Sequence, residues 1–333
     1  PGVRYRDATF MPDGEEVLLL SDETGETEFQ LLPADGTGGA RALTDDGRVL
    51  RFVGVPSPDG RRIAFRDHDQ NLHVLEIASG EQRRINDLQE GIGRLSWSPD
   101  GRWLAYERWA VNTYRQILLY DVETGETTTL TGDRVNCMSP VWSADGDWIY
   151  FLSDRNLHSL VGHPWGPRQP EPYFDRSIQI FQIALEEGLR PPFRPGDELA
   201  PAPAEKPDSS EQNEKKSEKP VQVEIQLEGL ADRLWQVPAP AGNYSGLAVG
   251  EDALFWLSRD SGPDPKTHLM GLEIGAEDEE PARLMEDVED FSMAAGRKKL
   301  LVRKKAGLFV VDAKPQTVSD LEKRKVDLSD WSF

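Results

Sequence analysis

A turn phrase that recurs at near-constant spacing constrains this chain more than any other feature. Leu95-Ser-Trp-Ser-Pro-Asp-Gly-Arg-Trp-Leu-Ala-Tyr106 reads as a strand, a tight turn and a second strand. The proline presets φ, the aspartate can hydrogen-bond nearby backbone, and the glycine accepts φ > 0 without a Cβ clash. The flanking β-formers make this a hairpin rather than a helix start. The phrase returns as Thr9-Phe-Met-Pro-Asp-Gly14, Val55-Pro-Ser-Pro-Asp-Gly60 and Val141-Trp-Ser-Ala-Asp-Gly146, its aspartates 46, 41 and 45 residues apart. Four strands repeating at that period are the mark of a β-propeller blade.

The expected fold is all-β: one β-propeller domain over residues 1–333, made of four-stranded antiparallel blades. Six blades are counted, at approximately 7–48, 49–90, 91–135, 136–238, 239–288 and 289–333. A seventh is open if the strands partition differently or a parent protein supplies one upstream of Pro1. The six are in phase, each with its own first and last strand, so closure by strand exchange is not expected and side-chain packing is left to close the ring. Blade four is interrupted twice. A Pro-rich insertion at 153–195 carries anchors and hydrogen-bond donors and is expected to be ordered. The tract at 197–220 is Ala, Pro, Glu, Lys, Ser and Gln with almost nothing apolar. Ordering it would cost on the order of 20–40 kcal/mol of backbone entropy with no burial to offset it, so it is expected to be a disordered loop. The blade's fourth strand then lies beyond it, at 221–227 or at 232–237. The sixth blade is expected to finish with a strand at 325–328.

The net charge of −21 argues against nucleic acid as a partner and against an anionic membrane surface. No run approaches the roughly 20 apolar residues of a membrane span. Cys137 is the single cysteine, which leaves no disulfide framework and no cysteine metal cluster. The absence of an initiating Met suggests a piece of a longer protein.

Each chemical constellation has a plainer structural reading. Asp67-His68-Asp69 sits at a predicted hairpin turn and reads as turn rather than metal site. Ser57, Ser98 and Ser143 precede turns and read as structural hydroxyls, and there is no Gly-x-Ser-x-Gly elbow. The basic run at 297–305 brackets a three-residue apolar core and reads as the exposed ends of a strand. No cofactor, metal or catalytic residue is expected. The insertion at 153–195 supplies candidates for docking a substrate or a neighbouring domain: Asp154, Arg155, Trp165, Arg168, Gln169 and Glu171.

Several phrases carry a resemblance. Phe151-Leu-Ser-Asp-Arg-Asn-Leu157, Pro164-Trp-Gly-Pro-Arg-Gln-Pro-Glu-Pro172, Ile180-Phe-Gln-Ile-Ala-Leu185 and Gly242-Asn-Tyr-Ser-Gly-Leu247 resemble the second propeller region of tricorn-type serine proteases. The likeness runs nearly the whole chain. It implies a parent with two propellers, the second described as seven-bladed, followed by catalytic and PDZ-like domains that hold the catalytic residues. It further implies a cytoplasmic, homo-oligomeric peptidase acting on peptides, in which this propeller is a non-catalytic channel or filter and a scaffold. The competing class is a protein-interaction propeller, similar to a WD-repeat platform and unrelated to proteolysis.

Replacing residues 197–220 by a short Gly/Ser linker is expected to leave the melting temperature nearly unchanged. A fall of many degrees in a thermal scan would show that the tract packs on the propeller.

Overall fold

The computed structural model describes residues 2–85, 91–157, 159–160, 173–194, 221–275 and 280–329. Its strands sort into six consecutive antiparallel sheets arranged as the blades of a β-propeller. The first holds β1 (Tyr5–Phe10), β2 (Glu16–Ser21), β3 (Glu28–Pro33) and β4 (Arg41–Ala42). The second holds β5 (Val55–Pro56), β6 (Arg62–Arg66), β7 (Leu72–Glu76) and β8 (Gln82–Arg84), and the third β9 (Ile92–Trp97), β10 (Trp103–Trp109), β11 (Arg115–Asp121) and β12 (Thr127–Thr129). In the fourth, β13 (Cys137–Trp142) and β14 (Trp148–Ser153) are followed by a short side hairpin, β15 (Ser159–Leu160) and β16 (Tyr173–Phe174). The blade then resumes with β17 (Gln179–Ala184) and β18 (Leu234–Gln236). The fifth is β19 (Asn243–Val249), β20 (Ala253–Arg259), β21 (Thr267–Glu273) and β22 (Ala282–Met285). The sixth is β23 (Asp290–Met293), β24 (Lys299–Lys304) and β25 (Gly307–Asp312).

Two details were open or different in the sequence. The fourth strand of blade four is β18, within the second of the two candidate stretches. Residues 221–227 instead cross towards blade three, where the Val223 amide donates to Asp100 Oδ2 at 2.9 Å and the Val223 side chain enters the core. The strand expected at 325–328 is reduced to one bridge, Lys325 against Phe309, so the sixth sheet has three strands. Val326 and Leu328 alternate with Lys325 and Asp327 as a strand would, and the Val326 amide donates to the Leu308 carbonyl, but the pairing goes no further.

The repeated turns explain the sequence phrase atom by atom. Gly14, Gly60, Gly101 and Gly146 all adopt φ between 69° and 83°, where a Cβ is disfavoured. In the third blade the Ser98 hydroxyl donates to Asp100 Oδ1 at 2.5 Å and accepts from the Trp103 amide at 2.8 Å. Asp100 Oδ1 also accepts from the Arg102 amide at 3.1 Å. Ser57–Asp59 and Ser143–Asp145 repeat this arrangement. The serines are therefore bound into turns.

Packing follows the two-residue period of a strand. In β14, Ile149 and Phe151 face blade three while Trp148, Tyr150 and Leu152 face blade five. In β20, Leu254 and Trp256 face blade four while Ala253, Phe255 and Leu257 face blade six. Five such clusters join successive blades from the first to the sixth. Indole N–H groups add cross-ties: Trp97 donates to the Val55 carbonyl at 2.9 Å and Trp142 to the Ser96 carbonyl at 3.0 Å. β1 pairs with β2 alone, so no strand is exchanged between the end blades. Side-chain packing was expected to close the ring, yet among the described residues no buried cluster joins blade six to blade one. There Tyr5 and Phe10 of β1, and Leu301 and Val310 of blade six, are exposed.

Between blades one and two lies a buried ionic knot. The Arg51 side chain is 1% exposed and donates to Glu28 Oε2 at 2.8 Å, to the Thr27 carbonyl at 3.0 Å and to Asp46 Oδ1 at 2.6 Å. Arg51→Met should destabilise the chain by about 3–5 kcal/mol, because Glu28 would stay buried without its counter-ion. The double variant Arg51→Met/Glu28→Leu should recover most of that loss in denaturant titrations. Equal losses in the two variants would show that the pair is not the source.

Candidate functional site

The strands of each blade alternate in direction, so the Asp-Gly turns lie on one face of the disc and the turns joining second to third strands on the other. The innermost strands of all six blades surround a cavity of about 630 Å3 on the axis. Thr9, Val55, Ser96, Val141, Val249 and Ser292 represent the six blades in its wall. Its volume falls within the range of about 300–1,000 Å3 typical of ligand sites. The wall mixes Val, Leu and Ala side chains with the hydroxyls of Thr9, Ser96 and Ser292, and it also carries charge.

That charge is all of one sign. The lining contains Arg66, Arg94 and Arg297 but no Asp or Glu, in a chain with 59 acidic and 38 basic residues. Arg66 ends β6, and Arg94 lies near the start of β9, which places both towards the face opposite the Asp-Gly turns. Arg66 donates to the Ile92 carbonyl and stands over the Phe52 ring at 5.5 Å. Glu107 lies behind Gly93 and is occupied elsewhere: it accepts from the Ser139 amide at 2.6 Å and pairs with Arg115 at 3.6 Å.

Arg297 marks the Asp-Gly end. Its amide donates to the Ala294 carbonyl at 2.8 Å, the same three-residue span that Gly14, Gly60, Gly101 and Gly146 make in their turns. Its φ of 54° is left-handed, a conformation that is costly for a residue with a Cβ. From there the side chain reaches past blade five and donates to the Trp142 carbonyl of blade four at 2.9 Å. It thus ties blade six to blade four at this end of the channel wall. Burial lowers its pKa, and the charge of Asp145 opposes that shift. It nevertheless stays protonated at neutral pH, as arginine does.

The sequence reading assigned the run at 297–305 to the ends of a strand. This holds for Lys299 and Lys304, the ends of β24, around buried Leu300 and Val302. Arg297 departs from it. The signal was present in Ala294-Ala-Gly-Arg297, where an arginine occupies the turn position that glycine holds in four other blades. Arg66 and Arg94 carried no such signal.

Of the docking candidates, Trp165, Arg168, Gln169 and Glu171 lie outside the described residues. Asp154 and Arg155 are consecutive at the start of the insertion and engage different partners, and neither lines the channel. Asp154 accepts from the Asn136 amide at 2.8 Å and from its Nδ2 at 2.6 Å. Arg155 donates to Ser153 Oγ at 3.2 Å and stands 5.0 Å over the Phe181 ring. Asp67 accepts from Asn71 and from His73 within its turn. Among the described residues no group of three or more His, Cys, Asp or Glu is placed to hold a metal, and no helix is long and apolar enough to cross a membrane.

A second polar site ties the returning arm of the insertion to blade five. Buried Asp175 accepts from Asn243 Nδ2 at 2.8 Å and from Ser261 Oγ at 2.6–2.7 Å, with Arg176 at 3.4 Å. Burial alone would raise its pKa. The hydrogen bonds from Asn243 and Ser261 and the charge of Arg176 outweigh it and hold the carboxyl below its ordinary value.

A family model described as the tricorn protease second beta propeller domain matches residues 1–314. The chain is 30% identical to tricorn protease homolog 1 of Streptomyces coelicolor, over 96% of this chain and 31% of that protein. It is 25% identical to the tricorn protease homolog of Saccharolobus solfataricus, over 94% of this chain and 27% of that protein. The crystal structure of the tricorn protease superposes with a TM-score of 0.75 at 17% identity, over 93% of this chain and 29% of that one, a likeness of fold. The chain therefore spans roughly 30% of the length of these curated relatives.

The depressed pKa of Asp175 fixes the sign of a pH effect. Its contribution is full above the ordinary aspartate pKa of about 4 and is lost as pH falls through the lower folded value. Wild type should melt above Asp175→Asn at pH 7, and the gap should close on acidification below pH ~4. A gap that stays constant down to pH ~2 would show that the charge is not what stabilises this contact.

Proposed function

The chain belongs to the tricorn protease second β-propeller family, and from that premise we propose that it is the non-catalytic propeller of a tricorn-like serine peptidase, a channel or filter for peptides and a scaffold for the catalytic domains. The observation that carries this reading is the axial channel: ringed by the inner strands of every blade and lined by uncharged side chains with three arginines. A cavity of this volume on the axis has room for a peptide segment. The catalytic chemistry belongs to the parent's other domains. The insertion of blade four, with Asp154 and Arg155 at its base and Trp165, Arg168, Gln169 and Glu171 along it, is the surface proposed to dock those domains or the substrate.

The test is to fill the bore in the full-length parent. Ser292 is exposed and lines the channel, so Ser292→Trp adds bulk without displacing core. Hydrolysis of long peptides should fall by about tenfold in kcat/KM, while a dipeptide-sized fluorogenic substrate is cleaved as before. Equal turnover of both by wild type and variant would leave the channel without a role in substrate traffic and favour the interaction-platform reading.

A further inference from the structure

A second cavity, of about 500 Å3, adjoins the Asp175 site off the axis, and none of its lining residues lines the channel. Three segments meet there: the returning arm of the insertion at Arg176, the start of β19 at Asn243, and the end of β20 with the turn after it, Ser258 to Ser261. Asn243 holds them together. Its Oδ1 accepts from the Arg176 amide at 2.9 Å, and its Nδ2 donates to Asp175 and to the Arg259 carbonyl. Asn243 and Arg259 are also paired across the strands. Two arginines from distant parts of the sequence are thereby brought to one asparagine in the wall of one cavity.

Both arginines have donors to spare. Among the described residues the Arg259 side chain has no hydrogen-bond or ion-pair partner, and neither has the Ser258 hydroxyl. Arg176 is exposed and meets Asp175 at 3.4 Å, a single contact for a group with five donors. Its φ of 51° is left-handed, a strain held by its amide bond to Asn243 and by Asn156 Nδ2, which donates to its carbonyl at 3.0 Å. Such strain concentrates at ligand clamps. The carboxylates are answered elsewhere: Asp175 by Asn243 and Ser261, and Asp260 through one oxygen by His268 Nε2 at 3.0 Å. Ala241 and the Tyr244 ring supply what apolar surface the cavity has.

We propose that this cavity binds a small phosphate monoester on a hydroxylated carrier, with the phosphate on Arg176 and Arg259 and the carrier's hydroxyls on Ser258 and Asp260. One guanidinium fork satisfies a carboxylate. A phosphate monoester brings three terminal oxygens and about 1.5–2 negative charges at neutral pH, enough to engage both arginines. A hydroxylated carrier is favoured because hydroxyl and carboxylate groups, with little apolar surface, remain to meet it. The volume suits a small molecule, within the range of about 300–1,000 Å3 for ligand sites. Bound there, the ligand would add a charged clamp between the insertion's arm and blade five, beside the neutral tie made by Asn243. The inference is independent of the role of the channel.

The experiment is calorimetric titration of this chain with glucose 6-phosphate, glucose, inorganic phosphate and a phosphoserine pentapeptide. Wild type should bind glucose 6-phosphate at least about tenfold more tightly than any of the other three, as expected for added hydrogen bonds to charged groups, and less tightly at high salt. Arg259→Gln should lose at least about tenfold in affinity while melting with the wild type, since that side chain supports nothing in the fold. Arg134→Gln removes an exposed charge from the same face outside the cavity and should bind as the wild type does. Glucose 6-phosphate that binds no better than inorganic phosphate would reveal an adventitious anion site only and overturn the inference. Tighter binding of the phosphopeptide would overturn it, as would equal losses in Arg259→Gln and Arg134→Gln, or no loss in Arg259→Gln. Failure of all four probes to bind would overturn it as well.

Discussion

The structure depends on burying both faces of sheets too small to stand alone. A blade of three or four short strands has two faces and no core of its own, and such a unit is stable only when neighbours cover it. Blade four shows the solution. Alternate residues of β14 serve two different inter-blade clusters, so one strand contributes to two cores at once. Every other ordered feature is arranged to keep that stacking in register. The Ser-x-Asp-Gly turns fix where each second strand begins, and the Trp97 and Trp142 indoles pin each inner strand to its predecessor. The axial channel is what remains when sheets packed this way converge on their innermost strands.

The repeat was legible because its turns demand particular residues. A position at φ near 70° selects glycine, and a hydroxyl that must accept one amide and donate to an aspartate selects serine two residues before it. The resemblance carried by the Pro-rich phrase of blade four led to the family that the comparisons confirmed. Order within the last blade was less legible. Residues 325–328 alternate as a strand does, with Val326 and Leu328 on one face, yet one bridge is all they form. The choice between 221–227 and 232–237 could not be made from pattern, because both stretches alternate. What decided it was distant: Val223 finds a pocket between blades three and four and an acceptor on Asp100, 123 residues away.

The channel was hidden for a different reason. Its wall is assembled from residues of all six blades, so no single stretch announces it. Arg66 and Arg94 look like ordinary surface residues of short strands, and only ring geometry turns them inward. Arg297 could have been found, since an arginine at a glycine position breaks a local rule, and such breaks concentrate where a protein is doing something besides folding.

The crossing of residues 221–227 has a consequence for how the chain tolerates interruption. Phe193 is buried between blades four and five, whereas Val223, Ile225 and Leu230 pack between blades three and four. The chain segments on either side of residues 195–220 are thus clamped independently, on opposite faces of the same blade, with β17 and β18 hydrogen-bonded between them. A peptide-bond break anywhere in that interval would sever the covalent chain without releasing either clamp. Blade four is in this respect a joint rather than a link: of two polypeptides divided there, one would carry three strands of its sheet and the other the fourth, and they could find one another by completing it.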